Sequence, residues 1–534
     1  MWPGKHAAER PEKIAYIFSG SGASATYREL NDRSNQVAQL LYDAGLRFGD
    51  HIAVLMENRP EYFEVCWAAQ RSGLFYTAIN HHFTVDEAAY IIDDCDARVL
   101  VISEAYRALA EELADKMPNV KVRLLVGDQN VGRADAAEPR TAQRGSHVSG
   151  YERYADARDR YPAEPPAEEL EGTPMLYSSG TTGRPKGIRY NIERTPVGDM
   201  PGQMMMLTAL FGMDEHAVYL SPAPLYHSAP LFYCMSTMRL GGTVVVLEQF
   251  DPEDALRVIE QHGITHSQWV PTMFVRMLKL PDEVRSKYDL SSHRCAIHAA
   301  APCPTEVKLR MIEWWGPIIE EYYSATEGMG ATYINSADYV THPGSVGRTM
   351  LAPIHIVDEA GDELPAGEIG TVYFEPATNR PGFQYHKDEA KTRDTFDAHG
   401  WASVGDMGYL DDEGYLYLTD RKTFMIVSGG VNIYPQEAEN VLVTHPKVFD
   451  VAVFGIPDPE MGEKVHAVVQ PTDWDAVGPE LERELLEYCR SQLAHYKCPK
   501  AVDFDRELPR QPTGKLYKRL LRDRYWGNKT SRIV

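Results

Sequence analysis

Short apolar runs alternate with longer stretches of helical periodicity along most of the chain. Residues 98–102, 122–126, 243–247 and 296–299 are short, apolar and mostly rich in β-branched side chains, which predicts buried strands. Between such runs, apolar positions recur at helical spacing over residues 27–44 and 252–263. This alternation predicts an α/β fold with layered helices and largely parallel sheets.

The pattern changes near residue 420. A hairpin is predicted over residues 408–418 around an Asp-Asp-Glu-Gly turn. Beyond it we expect a helix, a strand, a second helix, a second strand and a basic helical tail, over residues 435–443, 448–454, 481–493, 501–505 and 515–524. These elements suffice for a small α+β domain, so we expect a large domain over 1–420 and a small one over 424–534.

Length and composition agree with this division. The chain has 534 residues, whereas single cores stop growing near ~250–300 residues. Its formal net charge of −23 makes it a poor ligand for nucleic acid or anionic membrane. No apolar run is long enough to span a bilayer, and residues 1–10 are polar, so a cytoplasmic location is expected. Seven scattered cysteines without a CxxC pair predict reduced, buried thiols and no structural zinc.

Two further segments have their own interpretation. Residues 128–172 are rich in Pro, Ala, Glu and Arg, and we expect a surface loop or a connection between subdomains there. Residues 20–25 match the GxGxxA dinucleotide fingerprint, but a lone match is weak evidence. Because Thr26 and Glu29 are spaced as a capping box after the motif, a hairpin tip is favoured over a nucleotide-binding turn.

Residues 177–187 are the strongest candidate for chemistry. The segment reads Tyr-Ser-Ser-Gly-Thr-Thr-Gly-Arg-Pro-Lys-Gly and packs four hydroxyl side chains and three glycines around Lys186. Glycines let backbone N–H groups converge, and hydroxyls and a lysine add donors and charge, which together predict a phosphate-binding loop. The spacing is not that of a Walker A loop. The alternative is a plain flexible surface loop.

This segment resembles the phosphate-loop signature of the adenylate-forming superfamily, which includes acyl-CoA synthetases, amino-acid adenylation domains and luciferases. The resemblance extends from about residue 10 to residue 522 and is closest to AMP-forming acyl-CoA synthetases. It implies an N-terminal domain of two αβαβα subdomains and a small β-barrel, a hinge at residues 421–423 and a mobile C-terminal lid. It also implies that ATP phosphates contact Ser178, Ser179, Gly180, Thr181, Thr182, Gly183 and Lys186.

Further motifs imply the rest of a nucleotide site. Residues 322–328 resemble the family's Tyr-Gly-x-Thr-Glu motif, with Ser324 where glycine is usual. By this resemblance, Thr326 contacts phosphate and Glu327 holds Mg²⁺ together with Thr182. The same resemblance assigns the remaining nucleotide contacts to Ala301, Tyr322, Tyr323, Asp406 and Arg421, the last two on the ribose hydroxyls. Thr423 and Phe424 depart from the usual hinge residues.

The C-terminal region carries two more motifs. Residues 508–516 resemble the loop that holds the catalytic lysine, so Lys515 would bridge the substrate carboxylate and the α-phosphate. A lysine in an exposed tail would otherwise simply be solvated. Ser428, Gly429 and Gly430 resemble the loop that lines the pantetheine tunnel of CoA; the same residues also fit an ordinary turn before a helix with Pro435 in its first turn.

The acyl side is implied by weaker matches. Residues 224–228 resemble a motif that borders the acyl pocket, and they lack the aspartate by which amino-acid adenylation domains pair an amino group. Residues 298–302 read His-Ala-Ala-Ala-Pro in place of the common Ser-Gly-Gly-Ala-Pro. Together these matches make the acyl-site candidates Tyr226, His227, Trp269, Ala299, Ala300 and Ser324.

The leading hypothesis is an AMP-forming acid–CoA ligase for an apolar acid of fatty, aryl or polycyclic type. It would use ATP, Mg²⁺ and CoA, and alternate the small domain between two half-reactions. One alternative is a stand-alone adenylation enzyme that loads an acyl carrier protein. A second, of another class, is a non-catalytic nucleotide-binding regulator. A homodimer is suggested only by analogy with such enzymes, so the oligomeric state stays open.

Overall fold

The structure is a computed structural model that describes residues 1–127, 148–178, 185–199, 207–350, 352–376, 382–421, 424–510 and 516–526. Within these ranges the chain alternates between strands and helices, as the apolar pattern predicts. By its contacts it divides into two compact units. Unit 1 comprises residues 1–268, 286–296 and 379–393, and unit 2 comprises residues 269–285, 297–378 and 394–534.

The strands occur throughout the described chain. In chain order they are β1 (Ile14–Phe18), β2 (Ser24–Thr26), β3 (His51–Leu55), β4 (Phe75–Ala78), β5 (Ala97–Ser103), β6 (Val122–Val126), β7 (Glu152–Arg153), β8 (Thr173–Pro174), β9 (Leu176–Ser178), β10 (Lys186–Tyr190), β11 (Val218–Ser221), β12 (Thr243–Val246), β13 (His266–Trp269), β14 (Cys295–His298), β15 (Ile319–Ser324), β16 (Ala331–Ile334), β17 (Arg348–Thr349), β18 (Ile354–Val357), β19 (Gly370–Phe374), β20 (Phe383–Tyr385), β21 (Asp406–Leu410), β22 (Leu416–Arg421), β23 (Ile426–Ser428), β24 (Val431–Ile433), β25 (Val448–Asp458), β26 (Gly462–Pro471) and β27 (Val502–Phe504).

The α-helices lie between these strands. In chain order they are α1 (Pro3–Glu9), α2 (Tyr27–Asp43), α3 (Glu61–Arg71), α4 (Val85–Asp94), α5 (Arg107–Leu113), α6 (Tyr154–Arg158), α7 (Ser228–Leu240), α8 (Pro252–His262), α9 (Pro271–Leu278), α10 (Asp282–Arg285), α11 (Thr305–Trp315), α12 (Ser336–Thr341), α13 (Glu389–Arg393), α14 (Pro435–Leu442), α15 (Pro479–Gln492) and α16 (Lys518–Trp526).

Unit 1 is built on parallel sheets. Six strands lie in the order β7-β6-β5-β3-β4-β8, and all their pairings are parallel. Five further strands of this unit lie in the order β13-β11-β12-β1-β2, in which only the β1–β2 hairpin is antiparallel. Strands β20, β10 and β9 form a small antiparallel sheet. The β3 and β5 strands are buried on both faces, which is why they read as continuous apolar runs.

Unit 2 is built on sheets that are mostly antiparallel. Four of its strands lie in the order β17-β16-β15-β14, and a four-stranded sheet has the order β18-β19-β21-β22. Residues 424–526 add a sheet of order β24-β23-β26-β25 with β27 on β26. That last sheet packs its apolar face on α14 and α15, through buried residues such as Leu442, Val453 and Leu485. The small α+β arrangement predicted for this region is confirmed, and the boundary at residue 420 stays a prediction.

Several local predictions are confirmed. Thr26 and Glu29 form the capping box of α2, with the Glu29 carboxylate accepting the Thr26 N–H at 2.8 Å. Residues 20–25 lie at the tip of the β1–β2 hairpin rather than at the start of a nucleotide-binding helix. All seven cysteines are free and six are buried. In the part of the chain that the structure describes, no helix is both long and apolar enough to cross a bilayer.

Two predictions need correction. Residues 128–147 lie outside the described residues, but residues 148–172 are more than a surface loop, because they contain β7 and α6 and bury Tyr151 and Tyr154. The sequence analysis predicts no strand where β26 lies. Its apolar residues are interrupted by Lys464 and His466, so its apolar run is short, yet it pairs with β25 along ten positions of register.

Candidate active site

The predicted phosphate loop is held at both ends by a two-stranded ladder. Ser178 at the end of β9 stands opposite Lys186 at the start of β10. The positions between them, Ser179, Gly180, Thr181, Thr182 and Gly183, lie outside the described residues, as does the side chain of Ser178. Gly187 follows Lys186, where a Cβ would come within 2.8 Å of the Met175 Cε. Glycine at this position therefore lets the strand pass close to its neighbours.

Lys186 forms an ion pair with Asp388, which directly precedes α13. The two side chains are about one-third exposed. One Asp388 oxygen accepts the Lys186 ammonium, and the other accepts the Lys391 N–H at 2.9 Å, as a helix cap does. Hydrogen bonding to Lys186 lowers the pKa of Asp388, so this carboxylate is ionised when the phosphate-loop lysine is free of ligand.

The motif at residues 322–328 forms the end of β15 and a tight turn. The Gly328 N–H donates to the Ala325 carbonyl at 2.9 Å, and Gly328 has a φ of 66°. Thr326 and Glu327 occupy the turn between them, and the Glu327 side chain is buried. The turn thus carries a hydroxyl residue and a carboxylate residue at consecutive positions.

Tyr323 and Asp406, two predicted nucleotide residues far apart in sequence, are in direct contact. The Tyr323 hydroxyl donates to Asp406 Oδ2 at 2.6 Å, and Asp406 is 8% exposed. Asp406 is also the register partner of Arg421 on the neighbouring strand β22. The structure therefore brings both predicted ribose contacts to one end of the β21–β22 ladder, beside the tyrosine of the β15 motif.

Ser324 takes part in shaping the same turn. Its hydroxyl donates to the Gly330 carbonyl at 2.8 Å, which ties the end of β15 to the start of β16. A glycine at this position would leave that carbonyl without this partner.

The loop after β14 carries a strained residue. Ala300 has a φ of 74°, a left-handed conformation that costs an L-residue with a Cβ about 1–2 kcal/mol. Its neighbour Ala299 is buried and donates its N–H to the Trp269 carbonyl at 3.3 Å, and Ala301 is half-buried. The trialanine loop thus keeps a backbone shape that glycine adopts freely.

A buried polar cluster begins at His298, the residue before that loop, and its other two members, Lys308 and Glu321, lie outside the sequence motifs. Lys308 Nζ is 2.5 Å from Glu321 Oε2, and His298 Nε2 is 3.5 Å from the same oxygen. All three side chains are buried, and burial raises the pKa of Glu321 and lowers that of His298. Among the described residues neither ring nitrogen of His298 has a hydrogen-bond partner.

Tyr226 and His227 lie in a loop of unit 1 between β11 and α7. Their rings are 4.3 Å apart, and the Tyr226 ring meets His81 edge-on at 5.0 Å. Buried Asn58 holds the loop, because its Oδ1 accepts the Leu225 N–H at 2.8 Å and its Nδ2 donates to the Ala223 carbonyl. Sequence reasoning missed Asn58 and His81. Asn58 lies between a strand and a helix, and an asparagine in such a position is only a weak sequence signal for a residue that holds a loop.

Trp269 is fully buried in unit 2. Its ring packs edge-on against Trp315 at 5.5 Å and lies 6.3 Å from Phe274. It therefore supports the apolar interior beside α9 and α11, and any contact with substrate would require these packed rings to part.

The predicted pantetheine segment is a two-residue hairpin turn. Ser428 ends β23, and Gly429 and Gly430 have φ values of 56° and 80° before β24 begins. Two successive positive φ values suit the tight hairpin turns that glycine favours. The expected helix follows with Pro435 in its first turn, so the ordinary-turn interpretation of this segment is correct and the CoA role stays a prediction.

The catalytic-lysine candidate Lys515 lies outside the described residues, and so does the side chain of Arg421. The structure thus brings together Tyr323, Asp406 and the backbone of Arg421 in unit 2, and places Lys186 with Asp388 in unit 1.

Comparison with known proteins gives the family. Residues 4–382 match the model of the AMP-binding enzyme family, and residues 437–515 match that of the AMP-binding enzyme C-terminal domain. A feruloyl-CoA synthase of Amycolatopsis sp is 32% identical, with 98% of each chain covered. A fatty acid–[acyl-carrier-protein] ligase, ScoC of Streptomyces coeruleorubidus, is 30% identical over 99% of this chain and 96% of its own.

A solved structure agrees in fold. The crystal structure of ATP-bound MatB from Rhodopseudomonas palustris is 27% identical, covers 99% of both chains and superposes with a TM-score of 0.78. The match to family models over most of the chain and the relatives at 30% and 32% identity confirm the predicted resemblance. The chain belongs to the AMP-binding enzyme family of adenylate-forming enzymes.

Proposed function

We propose that this protein is an AMP-forming carboxylic acid–CoA ligase. In the first half-reaction the acid carboxylate attacks the α-phosphorus of ATP, and pyrophosphate leaves to give the acyl-adenylate. In the second, the CoA thiol attacks the acyl carbon, and AMP leaves to give acyl-CoA. The observation that carries the proposal is the bond between Tyr323 and Asp406, with Asp406 opposite Arg421, at the end of the family's nucleotide motif.

The nucleotide roles follow from the chemistry of these groups. An ionised carboxylate accepts hydrogen bonds only, so Asp406 suits the two ribose hydroxyls. The Tyr323 hydroxyl donates to Asp406 Oδ2, which holds this carboxylate in place at the start of β21. Lys186 supplies the mobile positive charge near the phosphates, and Lys515 screens the carboxylate and the α-phosphate as they approach.

Mg²⁺ fits the turn at Glu327. A buried carboxylate next to the Thr326 hydroxyl is the oxygen donor that this hard cation prefers, and Mg²⁺ is usually held by one or two carboxylates plus substrate phosphates. Thr182 is the second protein donor in this proposal. When bound, the ion supplies charge neutralisation for the departing pyrophosphate.

The acid is proposed to be apolar, with a ring-bearing acid preferred. The ring of Tyr226, in the loop that resembles the family's acyl-pocket motif, contacts the ring of His227 in the same loop and that of His81 after β4. In the other unit, Ala299 and Ala300 add methyl groups where glycines are usual. Flat faces and added methyls favour an aryl or polycyclic acid over a straight chain.

CoA enters the proposal through the small domain. The hinge at 421–423 would let residues 424–534 rotate, exchanging Lys515 for the Gly429–Gly430 turn at the reaction site. The turn carries no side chain beyond Cα at two successive positions, so a thin pantetheine arm can pass close to its backbone.

The test is a pyrophosphate-release assay over fatty, aryl and polycyclic acids, run with ATP and Mg²⁺ and with or without CoA. We expect release with at least one acid, and conversion of that acid to its CoA thioester only when CoA is present. Asp406→Ala should raise the KM for ATP at least about tenfold, because it removes a charged acceptor. Absence of release from a folded protein across the whole panel would instead support the regulator hypothesis.

A second candidate function is the loading of an acyl carrier protein. The relative ScoC, named as a fatty acid–[acyl-carrier-protein] ligase, favours it. Both functions share the adenylation half-reaction and differ in the acceptor. Supplying the preformed acyl-adenylate with either CoA or a phosphopantetheinylated carrier protein separates them, since only the true acceptor is acylated at a substantial rate.

A further inference from the structure

The Lys186–Asp388 ion pair is set up by the backbone of two neighbouring strands. Strand β10 begins with Lys186 and pairs antiparallel with β20. Just beyond β20, the His386 N–H donates to the Gly187 carbonyl at 2.8 Å. The chain after β20 is therefore tied to β10 beside Lys186, which brings the Asp388 carboxylate to the lysine ammonium.

Asp388 is held in place by the turn that leads into α13. Its N–H donates to the Tyr385 carbonyl at 3.1 Å, and its carbonyl accepts the Thr392 N–H at 3.0 Å. One carboxylate oxygen accepts the Lys391 N–H, and the other pairs with Lys186. The carboxylate thus has a fixed position, whereas the lysine ammonium is carried on a flexible four-carbon stem.

The residue before Asp388 carries backbone strain. Lys387 has a φ of 56°, and Asp96, its ion-pair partner at 2.8 Å, has a φ of 55°. The Lys387 ammonium also donates to the Asp94 carbonyl at 2.8 Å. Residues with a Cβ persist in this conformation only where the surrounding contacts determine it. The corner at residues 386–388 therefore has a determined geometry, and strain of this kind often accompanies function.

We propose that Asp388 is a positioning residue that exchanges with pyrophosphate on Lys186. This inference rests on the proposed function, in which Lys186 contacts the ATP phosphates. The mobile ammonium leaves the fixed carboxylate when phosphate binds, and returns to it when pyrophosphate departs. Re-forming the ion pair offsets part of the attraction that the lysine loses at that moment. Asp388 thereby weakens phosphate binding and favours release of pyrophosphate.

Neutralising Asp388 should therefore tighten phosphate binding. Asp388→Asn removes the competing charge and keeps an acceptor for the Lys391 N–H, so that Lys186 is more available to phosphate. Because both side chains of the pair are about one-third exposed, solvent screens their attraction, and the gain in affinity should be only about threefold. A structural role for Asp388 alone predicts the opposite change, because a loosened corner would weaken binding.

The experiment titrates magnesium pyrophosphate into the full-length protein by calorimetry, with no carboxylic acid present. D388N should bind pyrophosphate about threefold more tightly than wild type. K186M should bind more weakly than wild type, and K186M/D388N should bind no more tightly than K186M, because Asp388 acts through the lysine. D86N is the matched control: Asp86 forms an exposed ion pair with Lys116 in the same unit, and this variant should bind as wild type does.

Once an acid substrate is known, product inhibition gives a second measurement. The inhibition constant of pyrophosphate in adenylation should be about threefold lower in D388N than in wild type. Thioester formation from preformed acyl-adenylate should be unchanged, because pyrophosphate has already left at that stage.

Unchanged or weaker pyrophosphate binding by folded D388N overturns the proposal, as does absence of binding by wild type. It is also overturned if K186M/D388N still binds about threefold more tightly than K186M, since Asp388 would then repel the anion without competing for Lys186. If wild type adenylates no acid, the proposed function fails, while the titration still supports or contradicts the exchange. If wild type adenylates an acid and D388N binds pyrophosphate as wild type does, only the exchange fails.

Discussion

Two buried Lys–Glu pairs stand in different surroundings. Lys308 and Glu321 join α11 to β15 at 2.5 Å, while Lys518 and Glu439 join α16 to α14 at 2.9 Å. Glu439 also accepts a backbone N–H, and burial raises the pKa of both carboxyl groups. Glu321 instead has His298 beside it, whose pKa is lowered by burial and by Lys308.

The difference matters because each buried ion pair lies close in sequence to a predicted nucleotide or catalytic residue. Glu321 lies two residues before Tyr323 on the same strand, and Lys518 lies three residues after Lys515. The first pair thus holds a strand that carries predicted nucleotide residues, and the second holds the helix that follows the catalytic-lysine candidate in the chain. Beside the first pair lies His298, which has no hydrogen-bond partner among the described residues. In the second pair, the Glu439 carboxylate accepts an additional hydrogen bond from the Val453 N–H. The first region is therefore the more easily disturbed.

The largest effect is expected from Lys308→Met. It leaves Glu321 buried without its cation, which should cost about 3–5 kcal/mol of unfolding free energy. K308M/E321M should recover most of that loss, because it removes the stranded charge. Urea unfolding followed by tryptophan fluorescence measures both. A loss below about 1 kcal/mol for K308M would mean that the pair contributes no more than a surface one.

The second-largest effect is expected from acid, which should lower the free energy of unfolding through His298. The folded-state pKa of His298 lies well below its unfolded value of 6.5, so the fold requires the neutral ring. Its contribution is full above pH 6.5 and is lost as pH falls below it. From pH 7.5 to 5.5 this costs roughly 1.4 kcal/mol, which H298L should abolish.

His466 is the matched control for that experiment. Burial lowers its pKa too, but Asp503 at 3.1 Å opposes the shift. H466L should therefore change the pH dependence less than H298L does. Denaturation midpoints at the two pH values give the comparison, and equal effects of the two substitutions would contradict it.

A smaller gain is expected from Ala300→Gly. Because Ala300 has a φ of 74°, glycine should stabilise the loop by about 1 kcal/mol. Ala299 is buried and has no positive φ, so A299G should instead lose about 0.5–1 kcal/mol. The two variants are compared by urea midpoint. Destabilisation by both would show that the Ala300 methyl packs usefully despite its backbone.

The smallest effect is expected at the Lys186–Asp388 pair, whose side chains are about one-third exposed, in contrast to the two buried pairs. Asp388→Asn keeps an acceptor for the Lys391 N–H but removes the charge that competes with phosphate for Lys186. The KM for ATP should fall about threefold with no change in unfolding midpoint. D388A loses the cap as well and should lower the midpoint. A raised KM in D388N would mean that Asp388 orients the lysine for ATP.

The sequence predicts the secondary-structure elements and the motifs better than it predicts the buried polar residues that hold them in place. Strands β5 and β6 are apolar on nearly every position and helix α2 carries a capping box, so local rules suffice for them. The resemblance predicts Tyr323 and Asp406 as nucleotide residues, and the structure adds that their side chains are hydrogen-bonded to each other. Lys308, Glu321 and Asn58 were not predicted, because a charged or amide side chain gives no sign of its burial until its tertiary partners are known. Strand β26 is long because β25 pairs along its whole length, which no local pattern encodes.

The pairing of Asp406 with Arg421 has a consequence for energetics. Arg421 ends β22, and the predicted hinge begins at that same residue. If its guanidinium binds the ribose, then nucleotide occupancy and small-domain orientation share one residue and are linked variables. Linkage is reciprocal: whatever orientation tightens nucleotide binding must itself be favoured by bound nucleotide, by the same factor. Product AMP would then hold the domain in the orientation from which it must depart.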